Sequence, residues 1–131
     1  MNAIHPSKLL FSYGSWDFSH LVEWEGGILT IRNGAMYDKQ LKTISPSVND
    51  WTRFWKSVDD NNVWNWLPEY KNPLVLDGCQ WSLELEFNGR SIISEGSNAY
   101  PGWADTPDFP DDCDFGRFLQ SVVTLTDYSF D

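Results

Sequence analysis

Basic residues are scarce in this chain. Nine Lys and Arg stand against nineteen Asp and Glu among 131 residues, for a formal net charge of −10 at pH 7. A nucleic-acid binder needs a basic footprint, so direct nucleic-acid contact is not expected. An anionic membrane surface would repel the chain for the same reason. Long apolar runs are missing too. No stretch of about 18 apolar residues exists, so no transmembrane helix is expected. The start, MNAIHPSKLLFSYGSW, lacks the basic n-region and long apolar core of a signal peptide. Cysteine is nearly absent. Cys79 and Cys113 form neither a disulfide framework nor a CxxC pair, and free thiols fit a cytoplasmic chain.

The usual catalytic sets are also lacking. The only histidines are His5 and His20. No G-x-S-x-G elbow occurs, no Gly-rich run leads into a Lys-bearing helix, and Cys and His do not stand at metal-ligand spacing. No catalytic residue, metal or cofactor is therefore expected. The runner-up enzyme reading is a carboxylate-dependent hydrolase drawing an acid and a base from Asp77, Glu23, Glu25, Glu84 and Glu86. Against it, the glutamates alternate with apolar residues and read as solvent-facing, and Asp77-Gly78 is a turn signal.

Aromatics, by contrast, are abundant, with eight Trp, five Tyr and eight Phe. At 41% apolar and 21% charged residues, the composition is that of a globular domain, and the length allows one, 1–131. Large rings in so small a core are the plain reading; a ring-lined binding surface is the alternative.

Local patterns give the elements. Leu9, Phe11 and Tyr13 alternate as a first strand ending at Gly14-Ser15. HLVEWEGGILTIRN reads as a hairpin turning at Gly26-Gly27. Its register puts Glu25 opposite Ile28, Trp24 opposite Leu29, Glu23 opposite Thr30 and Val22 opposite Ile31. Leu41–Ile44 reads as a short strand. Ser47 caps a helix with Asp50 three residues on, and Trp51, Phe54, Trp55 and Val58 form its apolar stripe. Val63–Tyr70, interrupted by Pro68, reads as a loop or short helical turn. Trp81, Leu83, Leu85 and Phe87 begin a second hairpin that turns at Asn88-Gly89 and sets Leu85 against Ile92. Gly96 to Asp114 is proline-rich and irregular, with Gly96 suited to positive φ. Phe115, Phe118, Leu119, Val122 and Val123 mark a second helix capped by Asp112 or Asp114. The expected fold is α+β: an antiparallel sheet built from hairpins with two helices packed on one face.

Two groups of residues are candidate sites. Asp105, Asp108, Asp111, Asp112 and Asp114, with Trp103, form an acidic loop. Its spacing fits no EF-hand, but it suits a basic protein partner, whose approach it would steer. Trp64, Trp66, Tyr70 and Tyr100 fall on expected loops, where rings can take a sugar or other small molecule.

The segments VWNWLPEYKNPLVLDGCQW and GSNAYP resemble a widespread group of short, uncharacterised bacterial proteins. The likeness runs from about Phe11 to Phe118 and rests on Trp51, Trp55, Trp64, Trp66, Asp77, Gly78, Trp81 and Gly96–Pro101. The group has no established activity, so the resemblance implies no site residue. PGWADTPDFPDDCD is longer and more acidic than the group's pattern, which makes it the place for a specificity of this chain's own. The leading expectation is a small, acidic, non-catalytic, cytoplasmic protein of inhibitor or immunity type. It would cover a basic surface on another protein, such as a nuclease or defence effector. The alternatives are a small-molecule or carbohydrate-binding module using the loop aromatics, and the carboxylate-dependent hydrolase.

Overall fold

The structure is a computed structural model that describes residues 4–15, 17–35, 37, 39–71, 79–102 and 113–130. It is an α+β fold. Seven strands form one sheet: β1 (Lys8–Gly14), β2 (Ser19–Glu25), β3 (Ile28–Gly34), β4 (Lys39–Ile44), β5 (Glu69–Lys71), β6 (Gln80–Phe87) and β7 (Arg90–Ser97). Their order across the sheet is β4-β3-β2-β1-β6-β7-β5. All neighbours are antiparallel except β5 and β7.

The hairpins follow from their turns. Gly26 (φ 63) and Gly27 (φ 86) join β2 to β3, while Asn88 (φ 50) and Gly89 (φ 82) join β6 to β7. Paired positive φ gives a turn whose twist matches the strands. The β2–β3 register is the expected one, from Glu25 opposite Ile28 to Val22 opposite Ile31, and Leu85 stands opposite Ile92. The pairing of β1 with β6 joins the two hairpins, setting Phe11 opposite Leu83.

Helix α1 (Val48–Asp60) begins with a reciprocal cap. The Ser47 hydroxyl accepts from Asp50 N–H at 3.1 Å, and the Asp50 carboxylate accepts from Ser47 N–H at 3.0 Å. Trp51, Phe54, Trp55 and Val58 are the buried stripe. Helix α2 (Asp114–Thr126) is capped by Cys113, not by Asp112 or Asp114. The extended residue is Cys113, and its sulfur accepts from Gly116 N–H at 3.3 Å. Asp114 thus stands at the first helical position, ion-paired with Arg117 at 2.8 Å.

Both helices cover the same sheet face. Phe118 of α2 meets Phe11 and Phe54, and Trp55 of α1 stacks on Phe87 at 3.8 Å between centroids. Arg117 Nε donates to Asn61 Oδ1 at 2.8 Å, tying α2 to the end of α1. After α2, Tyr128 hydrogen-bonds the buried His20, and Phe130 packs on Phe11 and Tyr13.

Two further expectations need correction. Val63–Tyr70 holds the expected short helical turn, a 3-10 turn at Val63–Asn65, but it ends in β5, a three-residue strand running parallel to β7. Three residues after a proline are too few to show a period. Gly96 lies inside β7 without positive φ. It is needed because the Trp81 indole lies where a Cβ would be, with Nε1 of Trp81 in overlap with that position. Positive φ falls instead on Asn98 (φ 56), whose side chain accepts from Cys79 N–H at 3.0 Å.

Candidate functional site

With the helices on one face, no helix or strand among the described residues covers the other face of the sheet. Strand alternation decides what it presents. Leu9, Phe11, Leu83 and Leu85 point inward and are buried, so Lys8, Leu10, Ser12, Ser82, Glu84 and Glu86 point outward. The same alternation puts Glu23 and Glu25 of β2, Arg32 of β3, Glu95 of β7, and Glu69 and Lys71 of β5 on the open face. Six carboxylates (Glu23, Glu25, Glu69, Glu84, Glu86, Glu95) thus share this face with three bases. Lys8 pairs with Glu84 at 3.0 Å and Lys71 with Glu69 at 2.7 Å. Among the described residues, the other four carboxylates form no ion pair. Half-buried Leu10 and Leu21 lie on central strands between them, Leu10 directly opposite both Glu23 and Glu84.

At one end of this face lies a cleft of about 300 Å³. Register builds it from two rows. In the first, Ser12, Ser82, Glu95 and Glu69 stand opposite one another across β1, β6, β7 and β5. In the second, Gly14, Gln80, Ser97 and Lys71 do the same, and Ser19 faces Gly14 from β2. Tyr37, held at φ 54, also lines the cleft. Positive φ is uncommon for a bulky residue, and such residues cluster at binding sites. The Ser12 and Ser82 hydroxyls bond each other at 2.6 Å, and Ser19 donates to Ser15 O at 2.6 Å. Lys71 is held protonated above the ordinary lysine range by its hydrogen bond to Glu69, by that carboxylate's charge, and further by the charge of Glu95.

The residues singled out from sequence fall in different places. Asp105, Asp108, Asp111, Asp112 and Trp103 lie outside the described residues. The described chain on either side of them is close together. Phe115 N–H donates to Pro101 O at 3.1 Å, and a Cβ on Gly102 would stand 2.9 Å from Asp114 N. Asp114 itself bonds Arg117 and serves the start of α2. Trp66 is buried, its indole donating to Asn61 O at 3.1 Å. Trp66, Tyr70 and Tyr100 converge on one aromatic cluster around Trp81 and Phe115. Tyr70 uses its hydroxyl to accept from Leu67 N–H at 2.9 Å. Trp64 stands apart, donating to Asp59 at 3.3 Å with the Arg90 guanidinium 5.4 Å over its ring. Tyr70 also lines the cleft, whereas Trp64, Trp66 and Tyr100 do not, so the four rings share no common cavity.

Of the hydrolase carboxylates, Asp77 lies outside the described residues. Glu23, Glu25, Glu84 and Glu86 share the open face but stand on different strands or two positions apart. Next to Gln80 in the chain, the half-buried Cys79 meets the half-buried Tyr100. Burial pushes the Cys79 thiol up, against hydrogen bonds from Tyr100 and Tyr13 that hold it down. Burial, then the Cys79 contact, carries the Tyr100 phenol far above its ordinary range. Neither group is poised to react at neutral pH. Both cysteines are free thiols. Among the described residues no cluster of three His, Cys, Asp or Glu could hold a metal ion, and no helix is long and apolar enough to cross a membrane. No family model matches the chain, and no curated protein matches it.

The cleft was not read from the sequence, because outward serines on strands resemble ordinary solvent-facing positions. The available signal was their repetition. FSYG, WSL and EGS each place an outward serine near the same end of a strand, once β1, β6 and β7 are set side by side.

Proposed function

We propose that this protein is a non-catalytic binding protein of inhibitor or immunity type that covers a basic surface of another protein. A nuclease or a nucleic-acid-binding defence effector has such a surface, and carboxylates arrayed on a sheet would take the place of phosphates there. The observation that carries this reading is the open sheet face. It has six carboxylates against three bases with Leu10, Leu21, Ile28 and Ile93 among them, a mixture of charged and apolar surface of the kind protein interfaces use. The segment 103–112 adds Asp105, Asp108, Asp111 and Asp112 with no base. It is joined to described residues that sit beside the start of α2. Both charge groups would speed encounter with a basic partner and choose among partners.

The test is affinity capture from the native host's lysate at low and moderate salt, with partners identified by mass spectrometry and then purified. Two variants run beside the wild type: Glu23, Glu25 and Glu86 to Gln, and Asp105, Asp108, Asp111 and Asp112 to Asn. A basic partner whose affinity falls in either variant, and falls with salt in the wild type, supports the reading. A purified partner bound equally by the wild type and both variants refutes it.

A further inference from the structure

The cleft on the open face shares Glu69 and Glu95 with the broad acidic surface but has a chemistry of its own. Four polar groups lining it make no side-chain hydrogen bond to any other described residue: the Tyr37 hydroxyl, the Gln80 amide, the Ser97 hydroxyl and the Glu95 carboxylate. The register brings three of them together. Gln80 and Ser97 are direct cross-strand partners, and Glu95 lies two residues before Ser97 on the same face of β7. Unengaged donors and acceptors that converge on one concave space are the mark of a small-ligand site.

The ligand class follows by elimination among charges. An anion would meet Glu69 and Glu95 on the wall. The one base, Lys71, is already bonded to Glu69 at 2.7 Å and is held further by Glu95. A cation would have to compete with Lys71, whose ammonium already neutralises Glu69. An apolar ligand would strip water from serines, Gln80 and Glu95 without replacing their hydrogen bonds. A neutral polyhydroxylated ligand meets every group. Vicinal hydroxyls can donate to the two oxygens of Glu95, while the Gln80 amide and the Ser97 hydroxyl both donate and accept. Tyr37 adds a ring with an apolar face and a polar tip. The volume, about 300 Å³, stands at the small end of ligand pockets, the size of a monosaccharide or disaccharide.

We infer that this cleft is a binding site for a neutral mono- or disaccharide, held by Gln80, Ser97 and Glu95 with Tyr37 at its edge. The inference does not depend on the protein partner proposed above, whose carboxylates Glu23, Glu25 and Glu86 lie outside the cleft.

The experiment is an amide NMR titration of the full chain with a panel of neutral sugars, including glucose, galactose, N-acetylglucosamine, maltose, cellobiose and lactose. Spermidine and inorganic phosphate serve as cationic and anionic probes. The expected result is saturable shifts for at least one sugar, confined to amides around Ser12, Gln80, Ser82 and Ser97. In a Gln80→Ala, Ser97→Ala variant the affinity should fall about tenfold or more, from the loss of two or more hydrogen bonds. Both positions are at the surface, so the variant's spectrum away from the cleft should match the wild type. A Glu23→Gln, Glu25→Gln, Glu86→Gln variant should bind the sugar unchanged. Saturation by spermidine or phosphate in place of any sugar overturns the inference. So does a panel with no saturable shift, or sugar binding that Gln80→Ala, Ser97→Ala leaves intact.

Discussion

Replacing Gly96 with alanine should destabilise the protein severely, through a contact that the residue's own backbone does not reveal. Gly96 is an ordinary strand residue without positive φ, so alanine brings no conformational strain. The conflict lies across the sheet. The new methyl would overlap Nε1 of Trp81 and stand 2.6 Å from Cε2 and 2.6 Å from Ala99 O. Trp81 is buried at 2% exposure, and its indole N–H donates to that same Ala99 carbonyl at 3.0 Å. It cannot move away freely, because Trp66, Tyr70 and Phe115 pack around it. Displacing the ring costs about 1–3 kcal/mol in strained packing. Leaving the buried N–H unpaired costs about 1–3 kcal/mol more. The sum, about 2–6 kcal/mol, is a large part of the roughly 5–15 kcal/mol that holds a domain folded. Urea unfolding followed by tryptophan fluorescence measures it. With a slope of about 2 kcal/mol per M, a loss of about 4 kcal/mol lowers the midpoint by about 2 M. The double variant Gly96→Ala, Trp81→Phe isolates the cause. Phenylalanine has no Nε1, so the pair should be less destabilised than the two single changes added together, by about 1 kcal/mol or more. A Gly96→Ala midpoint within about 0.3 M of the wild type, or strictly additive changes, would refute the reasoning.

Two further outcomes follow from buried and capping polar groups. Trp51 and Trp81 are both buried, but the Trp51 indole N–H has no hydrogen-bond partner among the described residues, whereas that of Trp81 has one. Trp51→Phe should therefore cost less than Trp81→Phe by about 1 kcal/mol, and urea unfolding showing the reverse order would count against this account of the core. Asp50 is held below the ordinary carboxylate value of 3.8, first by its hydrogen bond from the Ser47 backbone and then by that with the Ser47 side chain. Its folded pKa is lower than its unfolded one, so its contribution is present above pH 3.8 and is lost as pH falls through the folded value. The stability gap between wild type and Asp50→Asn should be level at neutral pH and close below pH 3.8, while a gap that widens in acid would contradict the cap.

The parts of this fold that were legible in the sequence are those whose cause is local. The β2–β3 and β6–β7 hairpins follow from period-two alternation beside Gly26-Gly27 and Asn88-Gly89, where the turn fixes the register. Helix α1 follows from Ser47, Asp50 and a stripe beginning at Trp51. The α2 cap was misplaced by one residue because two acids flank Cys113, and acids are commoner caps than thiols. The β5 strand could not be read. Its partner, β7, lies about 25 residues away, and Glu69–Lys71 alone carries no pattern.

Aromatics in loops were the harder case. Trp66, Tyr70 and Tyr100 flank prolines at positions 68 and 101, and loops with large rings read as surface sites. But α2 starts at that end of the sheet with Phe115, and Trp81 faces it from β6 at 4.8 Å between centroids. Rings from both loops close over this pair, since each buried ring removes about 150–250 Å² from water. Most of the described rings are thereby used on the helix side of the sheet, while Tyr37 and Tyr70 line the cleft. The opposite face presents serine, glutamate, glutamine and three bases, with Leu10, Leu21, Ile28 and the exposed Ile93 among them. Under the function proposed above, the protein meets its partner through charge, hydrogen bonds and the few apolar side chains of this face. Its binding should accordingly be sensitive to salt at the broad acidic face and insensitive to salt in the cleft, where the contacts inferred are to neutral hydroxyls.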